Sequence, residues 1–276
     1  MKRLLRNKSA VTGLILIGIL VIVALFADYI APLDPYEMDI WENYESPQGF
    51  GGKYILGTDD MGRDVLSRII FGSRVSLMVA GIATGLSLVL GVVLGALAGY
   101  VGGMVDALIM RLMDLILAFP STLLAIAIVA TLGPGVVNAL LAIAIVRIPQ
   151  MSRVTRGMVL SLKEEEFVQA ARALGFTHVR ILFRHILING FAPILVIATL
   201  SMGTAITVEA SLSFLGLGAQ PPIISWGRML ALGRESIRTA PHMTLYPGLA
   251  IALTVLGFNL LGDGLRDVFD PQLRGR

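Results

Sequence analysis

The sequence predicts an all-α polytopic membrane protein with six transmembrane helices. Three observations predict it. Hydrophobic residues make up 55% of the 276 residues and charged residues only 15%, against about 25% charged in a typical soluble domain. Mean hydropathy is +0.80. The charges gather in a few segments separated by long uncharged runs, which is a membrane pattern rather than that of a greasy globule.

Each run yields one element. Ala10 to Ala27 is 18 residues without a charge, about 27 Å as a helix and close to the hydrocarbon thickness. Lys2, Arg3, Arg6 and Lys8 precede it. A signal peptide would have an apolar region of about 7–15 residues and a small-x-small cleavage site. This run is longer and no such site follows, so an uncleaved anchor is expected. Asp28 to Arg74 is polar, acidic and Pro-containing. Within it, Gly62 to Phe71 puts Val65, Leu66, Ile69 and Ile70 on one face and Arg63, Asp64 and Arg68 off it. That suits a helix lying on the outer leaflet or packed on a partner subunit.

Val75 to Val105 is 31 residues without a charge. Most of it makes the second span, and Gly102-Gly103 marks the turn. Asp106, Arg111 and Asp114 open a third span that runs to about Leu132 with Pro120 inside it. Arg111 stands five residues after Asp106 and three before Asp114 and is expected to form a structural pair with one of these acids. Gly133-Pro134-Gly135 breaks the chain. A fourth span follows to about Ile148, and the charged stretch Arg147 to Arg184 reads as two short helices outside the membrane. Ile186 to Val208 gives 23 uncharged residues and a fifth span continuing to about Phe214. Met243 to Gly262 gives 20 more and the sixth.

With the N-terminus inside, the inner segments hold 15 Lys and Arg against 7 in the outer ones. The bias puts both termini in the cytoplasm, as six spans require. The domain description is an anchor helix with an extracytoplasmic loop over 1–74, then a permease core over 75–276 that includes a cytoplasmic loop at about 149–185.

Several classes of chemistry are excluded. The chain has no cysteine, so no thiolate metal site and no cysteine nucleophile. The net charge of +3 sits beside apolar runs, not on a nucleic-acid face. The Gly52-Lys53 pair is followed by Tyr54, whereas a P-loop needs Ser or Thr there. His178, His185 and His242 have no suitably spaced acid or thiol for a metal. No G-x-S-x-G elbow is present, which disfavours an intramembrane hydrolase. No inverted repeat is evident, which weakens a gradient-driven secondary transporter.

The cytoplasmic stretch carries the most information. Ser161-Leu162-Lys163-Glu164 has the capping-box pattern and predicts a helix start near Leu162, with Glu164, Glu165 and Glu166 favoured in its first turn. Phe167, Ala170, Ala171 and Leu174 recur as one apolar face, small in its middle. Gly175 suits a left-handed cap and Thr177 the start of a second helix. Such a face packs either against the protein's own helix ends or into a groove on a partner. Gly81, Gly85, Gly91, Gly95 and Gly99 allow close helix approach, within the chain or at a subunit seam. Glu209 interrupts span five beside Thr204, Thr207, Ser211 and Ser213, so it is either a structural acid or part of a polar path. Trp226 is expected to anchor at the membrane interface.

These residues resemble a family. Phe167-Val168-Gln169-Ala170-Ala171-Arg172-Ala173-Leu174-Gly175, with His185-Ile186-Leu187-Ile188-Asn189 downstream, resembles the "EAA" cytoplasmic loop of ABC importer permeases, and most closely the dipeptide/oligopeptide permease branch. The stretches Leu56 to Arg68, Met110 to Asp114 with Ala118-Phe119-Pro120, Glu209 to Gly218, Pro221 to Met229, and Asn259 to Asp267 with Asp270-Pro271 are similar to other segments of that branch. The resemblance covers roughly residues 10 to 275. Gln169 stands where the family commonly has Glu, and Ile188 where it commonly has Pro. The first removes a charge from the docking helix. The second lets the helix run on into span five.

The resemblance implies a MetI-like permease fold with a cytoplasmic coupling helix, in a bacterial or archaeal cytoplasmic membrane. It implies a second permease as heterodimer partner, two cytoplasmic ATPases that bind ATP and Mg, and an extracytoplasmic binding protein. This chain would itself hold no cofactor and catalyse no reaction. Phe167, Gln169, Ala170, Ala171, Leu174 and Gly175 would dock the ATPase. Glu209, Thr207 and Ser211 would border the substrate path. Peptides are the implied cargo, with nickel, glutathione or oligosaccharide as alternatives in the same class.

Overall fold

The computed structural model describes residues 7–269. Lys2, Arg3, Arg6 and the Asp270-Pro271 pair lie outside the described residues. The anchor is α1, Lys8–Leu25, whose N-cap Asn7 side chain accepts the Ala10 N–H. A four-residue turn, α2 (Ala27–Ile30), ends it.

α3, Val65–Val101, has 37 residues and is about 55 Å long. It absorbs the segment expected to lie as a separate helix on the outer leaflet, and it runs unbroken across the expected boundary at 74. The reason is local. Asp64 caps it through the Ser67 N–H at 2.8 Å, and Val65 and Ile70 are buried. Gly102, with φ of 73°, ends the helix where the sequence placed a turn.

The third crossing is broken. α4 (Gly103–Leu117) and α5 (Ser121–Leu132) meet at an angle of 88° around Pro120. Asp106 and Asp114 of α4 meet Arg156 and Arg153, late in the helix Val136–Leu162, whereas Ala125 and Val129 of α5 join the core built on the first turns of that helix. The bent pair therefore traverses the bundle.

α6, Val136–Leu162, continues through Pro149 well beyond the expected end near Ile148. Its charges are matched from α4. Arg156 makes two bonds to Asp106 at 2.5 and 2.6 Å, and Arg153 reaches Asp114 at 2.6 Å. Arg111, expected to be the partner of those acids, is in no ion pair among the described residues.

α7 is Glu166–Ala173. It starts later than the capping box predicted, because Ser161 and Leu162 close α6 and accept the Glu164 and Glu165 N–H groups. A run of α8 (His178–Arg180), a π-helical turn (Ile181–Ile186) and α9 (Leu187–Asn189) leads to Gly190. α10, Phe191–Phe214, starts afresh there, so the continuous helix expected from Ile188 does not form. α11 (Trp226–Gly233) and α12 (His242–Phe269) complete the chain.

Glycines set the packing. A Cβ on Gly91, Gly95 or Gly99 would run into Met151, Ser152 and Arg156 of α6, so α3 and α6 lie parallel in close contact. A Cβ on Gly13 or Gly264 would strike α12 or α1 respectively, which locks those two helices antiparallel. Gly81 and Gly85 face open space.

Two ends of the bundle are elaborated. At one, the loop 31–64 folds on itself. Tyr44 N–H donates to Asp59 O at 3.1 Å, Gln48 N–H to Tyr54 O at 3.1 Å, and Thr58 N–H to Glu45 O at 3.1 Å. His242 Nε2 bonds Thr58 O at 2.9 Å, tying the loop to α12. Trp226 is buried here rather than anchored at an interface. Its indole N–H donates to Ile69 O at 2.9 Å, and Gly72 makes room for the ring. At the other end stands α7.

Candidate functional site

α7 is held by a small core of its own. Val168 and Ala171 are fully or nearly fully buried against Ala96 of α3, Val159 of α6, and Ile181, Leu182 and Ile186. The helix ends in a complete Schellman motif. Gly175, with φ of 76°, donates to Arg172 O at 2.9 Å, and Phe176 N–H donates to Ala171 O at 3.1 Å. Thr177 Oγ1 accepts the Arg180 N–H at 3.4 Å and starts the next run. Tyr100 OH hydrogen-bonds His178 Nδ1 at 2.9 Å, and the Arg180 guanidinium lies over the Phe176 ring at 4.1 Å.

The six expected docking residues therefore divide. Phe167, Gln169, Ala170, Leu174 and Gly175 are exposed, whereas Ala171 faces inward. The helix packs on its own protein through one side and offers another. Val168 is the residue that pattern reading missed. It falls off the predicted apolar face, and its one signal is a β-branched apolar side chain between Phe167 and Gln169, both exposed.

Span five also splits its polar residues. Two positions on a helix are about 200° apart, so Glu209 points away from Thr207 and Ser211. Thr204 and Thr207 are exposed, and Ser211 is partly so. Their hydroxyls donate to Ser201 O, Gly203 O and Thr207 O of their own helix. Pro193, Val196 and Leu200 extend that face and help line an apolar groove of about 380 Å³. Glu209 is 1% exposed, and Ser213 Oγ donates to its Oε1 at 2.7 Å. Ser213 Oγ in turn accepts the Ala219 N–H at 3.0 Å, so this acid belongs to the buried seat of the 215–226 segment. Among the described residues no group of three His, Asp or Glu converges as a metal site.

Comparison with known proteins decides the class. The profile of the family described as binding-protein-dependent transport system inner membrane component matches residues 91–275. This chain belongs to that family. A second profile, the N-terminal TM domain of oligopeptide transport permease C, matches residues 1–47. The chain is 49% identical over 273 residues to the dipeptide transport system permease protein DppC of Alkalihalophilus pseudofirmus, covering 99% of this chain and 89% of that one. It is 46% identical over 274 residues to the glutathione transport system permease protein GsiD of Shigella flexneri, covering 99% and 90%. Among solved structures, a chain of the MetNI methionine ABC transporter in an inward-facing conformation superposes with a TM-score of 0.61. It has 16% identity and covers 74% of this chain and 98% of that one, which shows the fold alone.

As a member of this family, the protein is a multi-pass inner-membrane permease component of an ABC importer. ATP hydrolysis belongs to other subunits, and its partners include an ATPase and a binding protein.

Proposed function

We propose that this chain forms one half of the translocation pathway of a peptide importer, beside a second, different permease and above two cytoplasmic ATPases. Both termini face the cytoplasm and the loop 31–64 faces outward. The observation that carries this reading is α7, a short helix fixed at its base by Val168 and Ala171 with Phe167, Ala170 and Leu174 left exposed. In this reading a groove on the ATPase takes those three residues, and Gly175 lets the chain turn sharply behind them. When the ATPases close on ATP, α7 moves with them and carries α3 and α6. Substrate passes along the hydroxyl face Thr204, Thr207 and Ser211.

Dipeptides or oligopeptides are the proposed cargo, supported by the 49% identity to a dipeptide permease and by the oligopeptide-permease profile. Glutathione, itself a tripeptide, is the second reading, supported by the 46% identity to GsiD. Reconstitution of the complete transporter with its binding protein, followed by uptake of labelled dipeptide, oligopeptide and glutathione, separates them. Uptake that proceeds without ATP would refute the importer reading.

A further inference from the structure

The outer loop carries two aromatic side chains that touch almost nothing. Trp41 is 96% exposed and Phe50 is 99% exposed, while the second tryptophan, Trp226, is 1% exposed. The arm that bears them is well tied. Asp39 accepts the Trp41 N–H at 3.1 Å, Glu42 takes Lys53 Nζ at 2.5 Å and the Tyr54 hydroxyl, and the backbone from Tyr44 to Gly49 pairs with 54–59. Large aromatic side chains on an ordered arm are what interface hot spots are made of, because little freedom is lost when they are covered.

The arm also lies beyond the charged pair that closes the apolar run of α1. Asp28 and Arg74 pair at 2.7 Å just beyond the end of α1. From Arg74 back to Val65, α3 rises about 14 Å further, and the loop caps that far end through the Thr58–Asp64 bridge. The other long outer segment, 215–241, has Trp226 as its sole aromatic residue, and it is buried. A family that depends on a binding protein must receive it on this outer surface.

We propose that residues 38–50 form the landing site for the extracytoplasmic binding protein, with Trp41 and Phe50 as apolar anchors. The exposed acids Glu37 and Glu45 flank them and call for a basic rim on that partner. The inference rests on the outward placement of this loop proposed above. Landing there is transmitted inward, since the same loop is bonded to α12 at His242 and caps α3 at Asp64.

The test uses the complete transporter with its binding protein. The chain has no native cysteine, so Phe50→Cys reports topology first. A membrane-impermeant maleimide labels it in intact cells; labelling that needs permeabilised cells overturns the outward placement itself. The Trp41→Ala/Phe50→Ala variant then tests docking. The concentration of binding protein that half-saturates ATPase stimulation rises at least tenfold, with the saturated rate unchanged. Amide hydrogen exchange over residues 54–76 stays at its parental rate, showing an intact loop and helix start. A rise below threefold overturns the proposal. So does a photo-cross-linking residue placed at 41 that captures lipid or the second permease instead of the binding protein.

Discussion

Val168→Ala tests what holds α7 in place. An eight-residue helix is marginal in isolation, so α7 keeps its shape because Val168 and Ala171 are buried. The substitution removes two methyl groups from a site with no exposed surface. At roughly 0.8 kcal/mol per group, plus a small cavity term, local docking weakens by about 2 kcal/mol. That is a roughly 30-fold larger population with α7 detached. The assay is amide hydrogen exchange on the purified transporter. Peptides over 166–176 exchange roughly 30-fold faster, while peptides within α10 and α12 do not change. Uptake falls and ATP affinity of the partner ATPases holds, because the nucleotide sites are untouched. Exchange within twofold of the parent would refute the claim that this side chain anchors the helix.

The remaining predictions follow from the same geometry. Ala170→Trp, on the exposed side of α7, leaves exchange unchanged but abolishes coupled uptake; parental uptake would remove Ala170 from the docking face. Gly95→Val forces a side chain against the Ser152 carbonyl of α6, so thermal stability of the complex falls by about 1–3 kcal/mol, whereas Gly85→Val, facing open space, is tolerated in this chain alone. Asp106→Asn costs about 1 kcal/mol as a partly exposed bidentate pair, and the exchange Asp106→Arg with Arg156→Asp recovers part of it in a stability assay. The Lys53 ammonium, then the Tyr54 hydroxyl, hold the Glu42 carboxyl below the ordinary glutamate range. Its stabilisation is therefore present above that range and is lost only as pH falls through the depressed value. Trp41 emission in a Trp226→Phe background reports this as a transition below the usual glutamate midpoint, absent in Glu42→Gln.

The uncharged runs made five of the six crossings legible, since length and polarity alone identify a span. Their ends were less legible where charge was matched across helices. Arg153 and Arg156 read as the start of a soluble segment, yet α6 continues through them because Asp106 and Asp114 arrive from α4. The pattern at Ser161 fits a helix start and marks a helix end, because the previous helix is still accepting bonds there. Pro120 was read as lying inside a single third span, and the 88° bend there is what the structure adds. The loop 31–64 shows no periodicity, and its form rests on backbone bonds between residues ten or more apart, such as Tyr44 to Asp59. In the site, Gly175 and Thr177 were readable from local cap chemistry. The inward turn of Ala171 depends on what surrounds its helix, whereas the separation of Glu209 from Thr207 follows from helical spacing itself.

That separation bears on how the proposed cycle moves the bundle. Glycine contacts weld α3 to α6, and a second set welds α1 to α12 and α12 to α10 through Gly203, Gly257 and Gly262. Packed interfaces of this kind shift as bodies rather than bend. α7 is seated mainly on the first body, through Ala96 and Val159, whereas α10 packs on both, meeting α12 at Gly203 and the α3–α6 core at Ile206 and Leu212. The chain between them passes through a π-helical turn and the restart at Gly190, where backbone hydrogen bonding is already irregular. In the proposed cycle a displacement of α7 reaches α10 both through the α3–α6 core on which α10 packs and along the chain, with 181–190 as the joint. Glu209, seated with Ser213 under the 215–226 segment, travels with α10 and holds its outer end. In the proposed cycle an acid placed there serves closure of the outer side, and the proposed path is bordered by hydroxyls that bond their own backbone.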